Sequence, residues 1–151
     1  MRTFSFTMLL LLVLATLGLA ESEYATPRAT LDRYLKACSD GDYAAAEACY
    51  TKSSRELVKE QMKDAEVRDP DLLKSAYDRL SPLEYREERV NEKRAILWPS
   101  DEKIPPFLLR VQDEKEGWRL DYHFMSHYIR VNEDGWSWTN SRIFKIWKSR
   151  S

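Results

Sequence analysis

The sequence is poor in the residues that build most recognisable functional motifs. Its four glycines form neither a P-loop nor a glycine-rich dinucleotide turn. No Gly-x-Ser-x-Gly elbow and no His-Glu-x-x-His pair occurs, which removes the usual routes to nucleotide, acyl-transfer and zinc-protease chemistry. Two cysteines and two histidines remain, and the spacing of Cys38, Cys49, His123 and His127 matches no zinc finger. Neither a metal nor any other cofactor is expected. A bias of charge is missing as well: 24 Lys and Arg stand against 25 Asp and Glu. With no global field to gather a polyanion, nucleic acid is not an expected partner.

What is present begins with an export address. Met1-Arg2-Thr3 gives a short positive start, Met8 to Leu19 an almost unbroken apolar run, and Gly18-Leu19-Ala20 the small residues a signal peptidase reads. Residues 1–20 are therefore expected to be a cleaved signal, leaving 21–151 as one periplasmic or secreted α+β domain with no membrane span. No cysteine follows the apolar run directly, so the thiol of a bacterial lipoprotein is absent. Cys38 and Cys49 fall on apolar faces of consecutive helices, and an oxidising compartment makes a disulfide between them the expectation.

The first half of that domain reads as helix. Thr26-Pro27 supplies a cap and a first-turn proline, and Leu31, Tyr34, Leu35 and Cys38 follow at helical spacing. Gly41 ends the helix and Asp42 caps a second one over Tyr43 to Tyr50. The Ser53-x-x-Glu56 pattern of a capping box predicts a third helix through Leu57, Val58, Met62 and Ala65. Asp69-Pro70 repeats the cap-and-proline device, and Leu72, Leu73, Ala76, Tyr77 and Leu80 carry a fourth helix until Ser81-Pro82.

The period then changes. Leu83 to Val90 and Arg94 to Trp98 read as strands turning at Asn91-Glu92, and Pro99, Pro105 and Pro106 bracket a loop. Phe107 to Phe124 reads as a central hairpin. Phe107, Leu109 and Val111 share one face of its first arm, and Trp118, Leu120, Tyr122 and Phe124 one face of the second. Val131 to Trp138 repeats the acidic turn followed by Gly-Trp and predicts a second, smaller hairpin. Arg142 to Arg150 is basic and aromatic and fits strand, helix or tail.

Pro27 with Leu31 and Leu35, Ser39-Asp40-Gly41-Asp42-Tyr43 with Ala46, and Gly117-Trp118-Arg119-Leu120-Asp121 together resemble small exported members of the nuclear transport factor two-like superfamily. The resemblance implies N-terminal helices packed on a curved antiparallel sheet, with a core over about residues 26–125 and an extension, 126–151, that carries the extra C-terminal hairpin. It also implies a cone inside the sheet and the possibility of a homodimer through it. The same corner, Gly41-Asp42-Tyr43 with Ala46, is similar to a tetratricopeptide turn, but no second copy follows to stack on.

Enzymes of that superfamily, such as ketosteroid isomerases and scytalone dehydratases, place acids, His and Tyr inside the cone. Here the only adjacent acid and histidine are Asp121 and His123. Strand alternation puts them opposite Trp118, Leu120, Tyr122 and Phe124, on the solvated face. No catalytic residue is therefore expected. His127 follows four residues after His123, a spacing that shares a face only on a helix. The candidate contact residues are aromatic: Trp136 and Trp138 on one strand face, with Tyr85 and Tyr122 facing a pocket, while Trp98 and Trp118 read as core. These point to a binding or accessory protein of the bacterial envelope, holding a small ligand or another envelope protein. A small lyase or isomerase using the cone is the alternative.

Overall fold

A computed structural model describes residues 23–61 and 69–150. The expected signal segment, and Met62 and Ala65 of the third helix, lie outside these residues. No described helix is long and apolar enough to cross a membrane.

The first helices start and stop where the sequence supplies caps. α1 spans Pro27–Asp40, with Thr26 accepting the Ala29 N–H at 3.0 Å. It ends at Gly41, whose φ of 66° is left-handed. Asp42 then caps α2, Tyr43–Ala48. α2 stops two residues short of the predicted Tyr50, because residues 49–51 run alongside a strand: Leu120 N–H donates to Cys49 O and Thr51 N–H to Leu120 O. α3, Lys52–Gln61, begins two residues earlier than the Ser53 box predicts, since Thr51 Oγ1 accepts the Ser54 N–H. α4, Pro70–Leu80, is capped by Asp69.

Four antiparallel strands follow in sequence order: β1 Tyr85–Asn91, β2 Arg94–Pro99, β3 Phe107–Val111 and β4 Trp118–Leu120. They form an open sheet rather than a closed cone. The β4 edge is covered by residues 49–51 and by Tyr24, whose carbonyl accepts the Trp118 N–H at 2.9 Å. That approach requires Gly117, where a Cβ would stand 2.5 Å from the Tyr24 oxygen at a φ of +72°. The opposite edge, β1, carries charged side chains, the usual defence of an exposed strand.

The second arm of the central hairpin departs from expectation. It is strand only as far as Leu120; α5, Tyr122–Tyr128, replaces the rest. A seven-residue window satisfies both periods. Phe124, Met125 and Tyr128 also recur at helical spacing, and Asp121 decides the outcome by accepting the Phe124 N–H. The small hairpin follows as β5 Ile129–Asn132 and β6 Gly135–Trp138. The basic aromatic end is α6, Ser141–Ser149, capped by Asn140.

This rearrangement gives the sheet two covered faces. On one, Leu31, Leu35 and Leu80 of the first-half helices pack on Ala95, Leu97, Leu109, Trp118 and Leu120. On the other, Ile96 and Leu108 bury Trp147 of α6, with Phe124, Met125, Trp138 and Phe144 around them. Residues 126–151 are thus not merely appended to a complete core. Their α6 fills part of the sheet face that the first helices leave open.

Candidate functional site

β2 brings Trp98 to the second sheet face because it lies one residue beyond Leu97, which points to the first. The β5–β6 hairpin folds back so that Trp136 meets it, with ring centroids 6.4 Å apart, while Trp138 stands edge-on to Trp136 at 5.2 Å. Trp136 is fixed by its indole N–H, which donates to the Glu102 carbonyl at 3.0 Å. Trp98 donates to Glu88 Oε2 at 2.8 Å, and Lys148 Nζ reaches Glu88 Oε1 at 2.5 Å. The Lys148 hydrogen bond, then burial acting against it and the Trp98 N–H, leave the Glu88 carboxyl below its ordinary range.

Trp98 and Trp136 both line a cavity of about 490 Å³. Tyr85, Arg86, Pro99 and Ile104 form part of its wall, and Glu84, Asp101 and Glu102 supply acidic groups. The Arg86 guanidinium lies 5.9 Å from the Trp98 ring centre, a cation-π distance. The groove therefore offers aromatic faces and an excess of acceptors. It suits a neutral or cationic ligand with donors to place, within the size range of small-ligand clefts.

Of the expected contact residues, Trp136 and Tyr85 meet at this groove. Tyr85 contributes less ring than its position suggests, since its hydroxyl donates to Leu80 O at 3.0 Å and its ring packs on Phe107. Trp138 faces the same way but stacks on Phe144 at 4.0 Å and 12°, pinning α6. Tyr122 stands elsewhere, stacked on Tyr50 at 5.4 Å. Trp98, read as core, packs against the second core cluster but is only half-buried, and it also lines the groove. Its place one step out of phase with Leu97 was the available signal.

Asp121 is corrected outright, whereas His123 is exposed as expected but lies on a helix instead of a strand. Asp121 is 2% exposed, not solvated. Its Oδ1 accepts the Phe124 N–H, while Oδ2 accepts the Trp147 indole N–H at 3.0 Å and lies 3.3 Å from Arg110 Nε. His123 sits on α5, and its ring stacks on His127 at 4.7 Å because the segment is a helix after all. The two histidines are not joined by further ligands: among the described residues, no three of His, Cys, Asp and Glu converge on a metal position.

Cys38 and Cys49 are buried free thiols rather than a disulfide. Each is engaged locally: Cys49 donates to the Ala45 carbonyl at 3.4 Å, and Cys38 lies beside the Tyr34 hydroxyl. Burial pushes Cys49 up to about 11, raises Cys38 as well, and lifts Tyr50 to about 12. Acidic groups so strongly held neutral make poor nucleophiles or bases at neutral pH. Compared with models of protein families, with curated proteins and with solved structures, the chain matches none.

Proposed function

We propose that this chain is an exported, non-catalytic binding protein of the bacterial envelope, and that the Trp98–Trp136 groove holds a neutral or cationic segment of a partner or a small ligand of the same character. The observation that carries the reading is the cavity itself. Two indoles with their N–H groups already bonded to the protein present their rings around it, and three acidic residues line it against one arginine. Export rests on the leader-like first twenty residues. The order of helices before sheet, with the Gly-Asp corner and the Gly-Trp strand, supports kinship with the nuclear transport factor two-like proteins.

The alternative, a small lyase or isomerase working inside a sheet cone, has less behind it. The sheet is open, and the acid best placed to act as a base, Asp121, already serves a cap, an indole and a guanidinium.

Capture from an envelope extract by the immobilised protein tests the groove. Trp136→Ala should keep the fold yet lose a partner that the wild type and the distant surface variant Lys36→Ala both retain. Equal capture by all three would remove the groove from consideration as the binding surface.

A further inference from the structure

A second feature shares no residue with the groove. Arg94 on β2 is the direct cross-strand partner of Arg110 on β3, and Arg110 of Arg119 on β4. Like charges placed opposite one another destabilise a sheet, so three in a row across its middle call for a compensating anion. Each of the three has a buried Nε without a hydrogen-bond partner. Arg119 finds help nearby, since it donates to the carbonyls of Glu116 and Trp118 and lies over the Tyr24 ring. Arg110 has its ion pair with Asp121. Arg94, only 9% exposed, has no ion pair among the described residues and rests on a ring alone. Its guanidinium stands 5.7 Å from the Trp147 ring centre; burial and the charges of Arg110 and Arg150 oppose its own, and the Asp121 carboxylate offsets them only in part.

Arg94 and Arg110 open onto a cavity of about 410 Å³ between the second sheet face, α5 and α6. Arg150 at the end of α6 adds a third guanidinium to its lining, and Asp121 is the one acidic residue there. Three arginines against Asp121 leave the polar end with two net positive charges. The rest of the wall is apolar or aromatic: Phe124, Tyr128, Ile143, Ile146 and Trp147.

We propose that this cavity is a binding site for a small amphipathic anion, its phosphate or carboxylate head held by Arg94, Arg110 and Arg150 and its aromatic or aliphatic body lying against Phe124, Ile146 and Trp147. A guanidinium is the donor that matches a planar carboxylate or a phosphate in two parallel bonds. The head neutralises the excess charge of the arginine row, and the body removes exposed apolar surface of α6, where Ile146 is 48% exposed.

The test is a titration of the ¹⁵N-labelled protein, followed at the Trp147 indole and the Arg94 Nε–H resonances. The probes are phenyl phosphate and phenylacetate, with inorganic phosphate as the head alone and phenol as the body alone. Saturable shifts of both resonances by at least one amphipathic anion are expected, and the tighter of the two identifies the head. Inorganic phosphate and phenol should bind about tenfold more weakly or worse. Arg94→Gln should weaken binding by roughly tenfold or more, the worth of a charged hydrogen bond, and Arg150→Gln, at an exposed position, should weaken it several-fold with the fold intact. No saturable shift in the wild type at millimolar probe overturns the proposal, as does unchanged affinity in Arg150→Gln together with a folded Arg94→Gln. Equal affinity for phosphate and phenyl phosphate overturns the role of the apolar wall. Should Arg94→Gln fail to fold, the wild-type titration and Arg150→Gln decide.

Discussion

The Trp147 indole N–H donates to Asp121 Oδ2 at 3.0 Å, joining the last helix to the end of the central sheet across 26 positions of sequence. The same oxygen lies 3.3 Å from Arg110 Nε, and the other oxygen caps α5. One buried carboxylate thus ties together β3, α5 and α6.

Asp121→Ala should therefore cost about 3 kcal/mol or more in urea unfolding, because it leaves Arg110 and the indole without their shared acceptor. Asp121→Asn retains one acceptor oxygen, enough for the cap or the indole but not for both, and should lose less than Asp121→Ala. A loss under about 1 kcal/mol for Asp121→Ala, the scale of an exposed pair, would show that water already screens this carboxylate.

Gly41 joins α1 to α2 at a φ of 66°, and a Cβ there would stand 2.9 Å from Cβ of Pro70. Gly41→Ala should lose about 1–2 kcal/mol from left-handed strain, plus whatever α4 loses by shifting away. The thermal midpoint measures it, and an unchanged or higher midpoint would contradict the geometry.

Trp136 and Trp138 should separate in mutagenesis although they share a strand face. Trp138→Ala removes the stack on Phe144 and should cost about 2 kcal/mol, with exposure of Trp147 visible as a red-shifted emission. Trp136→Ala, at the groove, should cost less than about 1 kcal/mol. The reverse order would make Trp136 the structural residue.

Both thiols should be silent to a thiol reagent in the native protein near neutral pH, and both should react on unfolding without reductant. Reaction of neither after unfolding would reveal a bond. The folded value of Cys49, about 11, lies above its unfolded value of about 8.5. The stability this provides is complete below the unfolded value and is lost as pH rises through the folded one. Cys49→Ala should move alkaline unfolding to higher pH.

Local chemistry in the sequence determined the caps at Thr26, Asp42 and Asp69, the corner at Gly41, the β1–β2 and β5–β6 hairpins, and the first sheet face with Leu109, Trp118 and Leu120. Each follows from a backbone preference or a side-chain period expressed within a few residues, so no distant partner is needed to read it. Tertiary structure decided what the period left ambiguous. Tyr122–Tyr128 fits strand and helix alike until Asp121 caps it, and the end of the chain becomes a helix because Ile96 and Leu108 offer its Trp147 a face to bury. The groove and the arginine row were hidden for the same reason. Arg94 meets Arg110 only through strand pairing, whose register belongs to two segments at once, and Trp98 meets Trp136 only because the separate β5–β6 hairpin folds back onto the sheet.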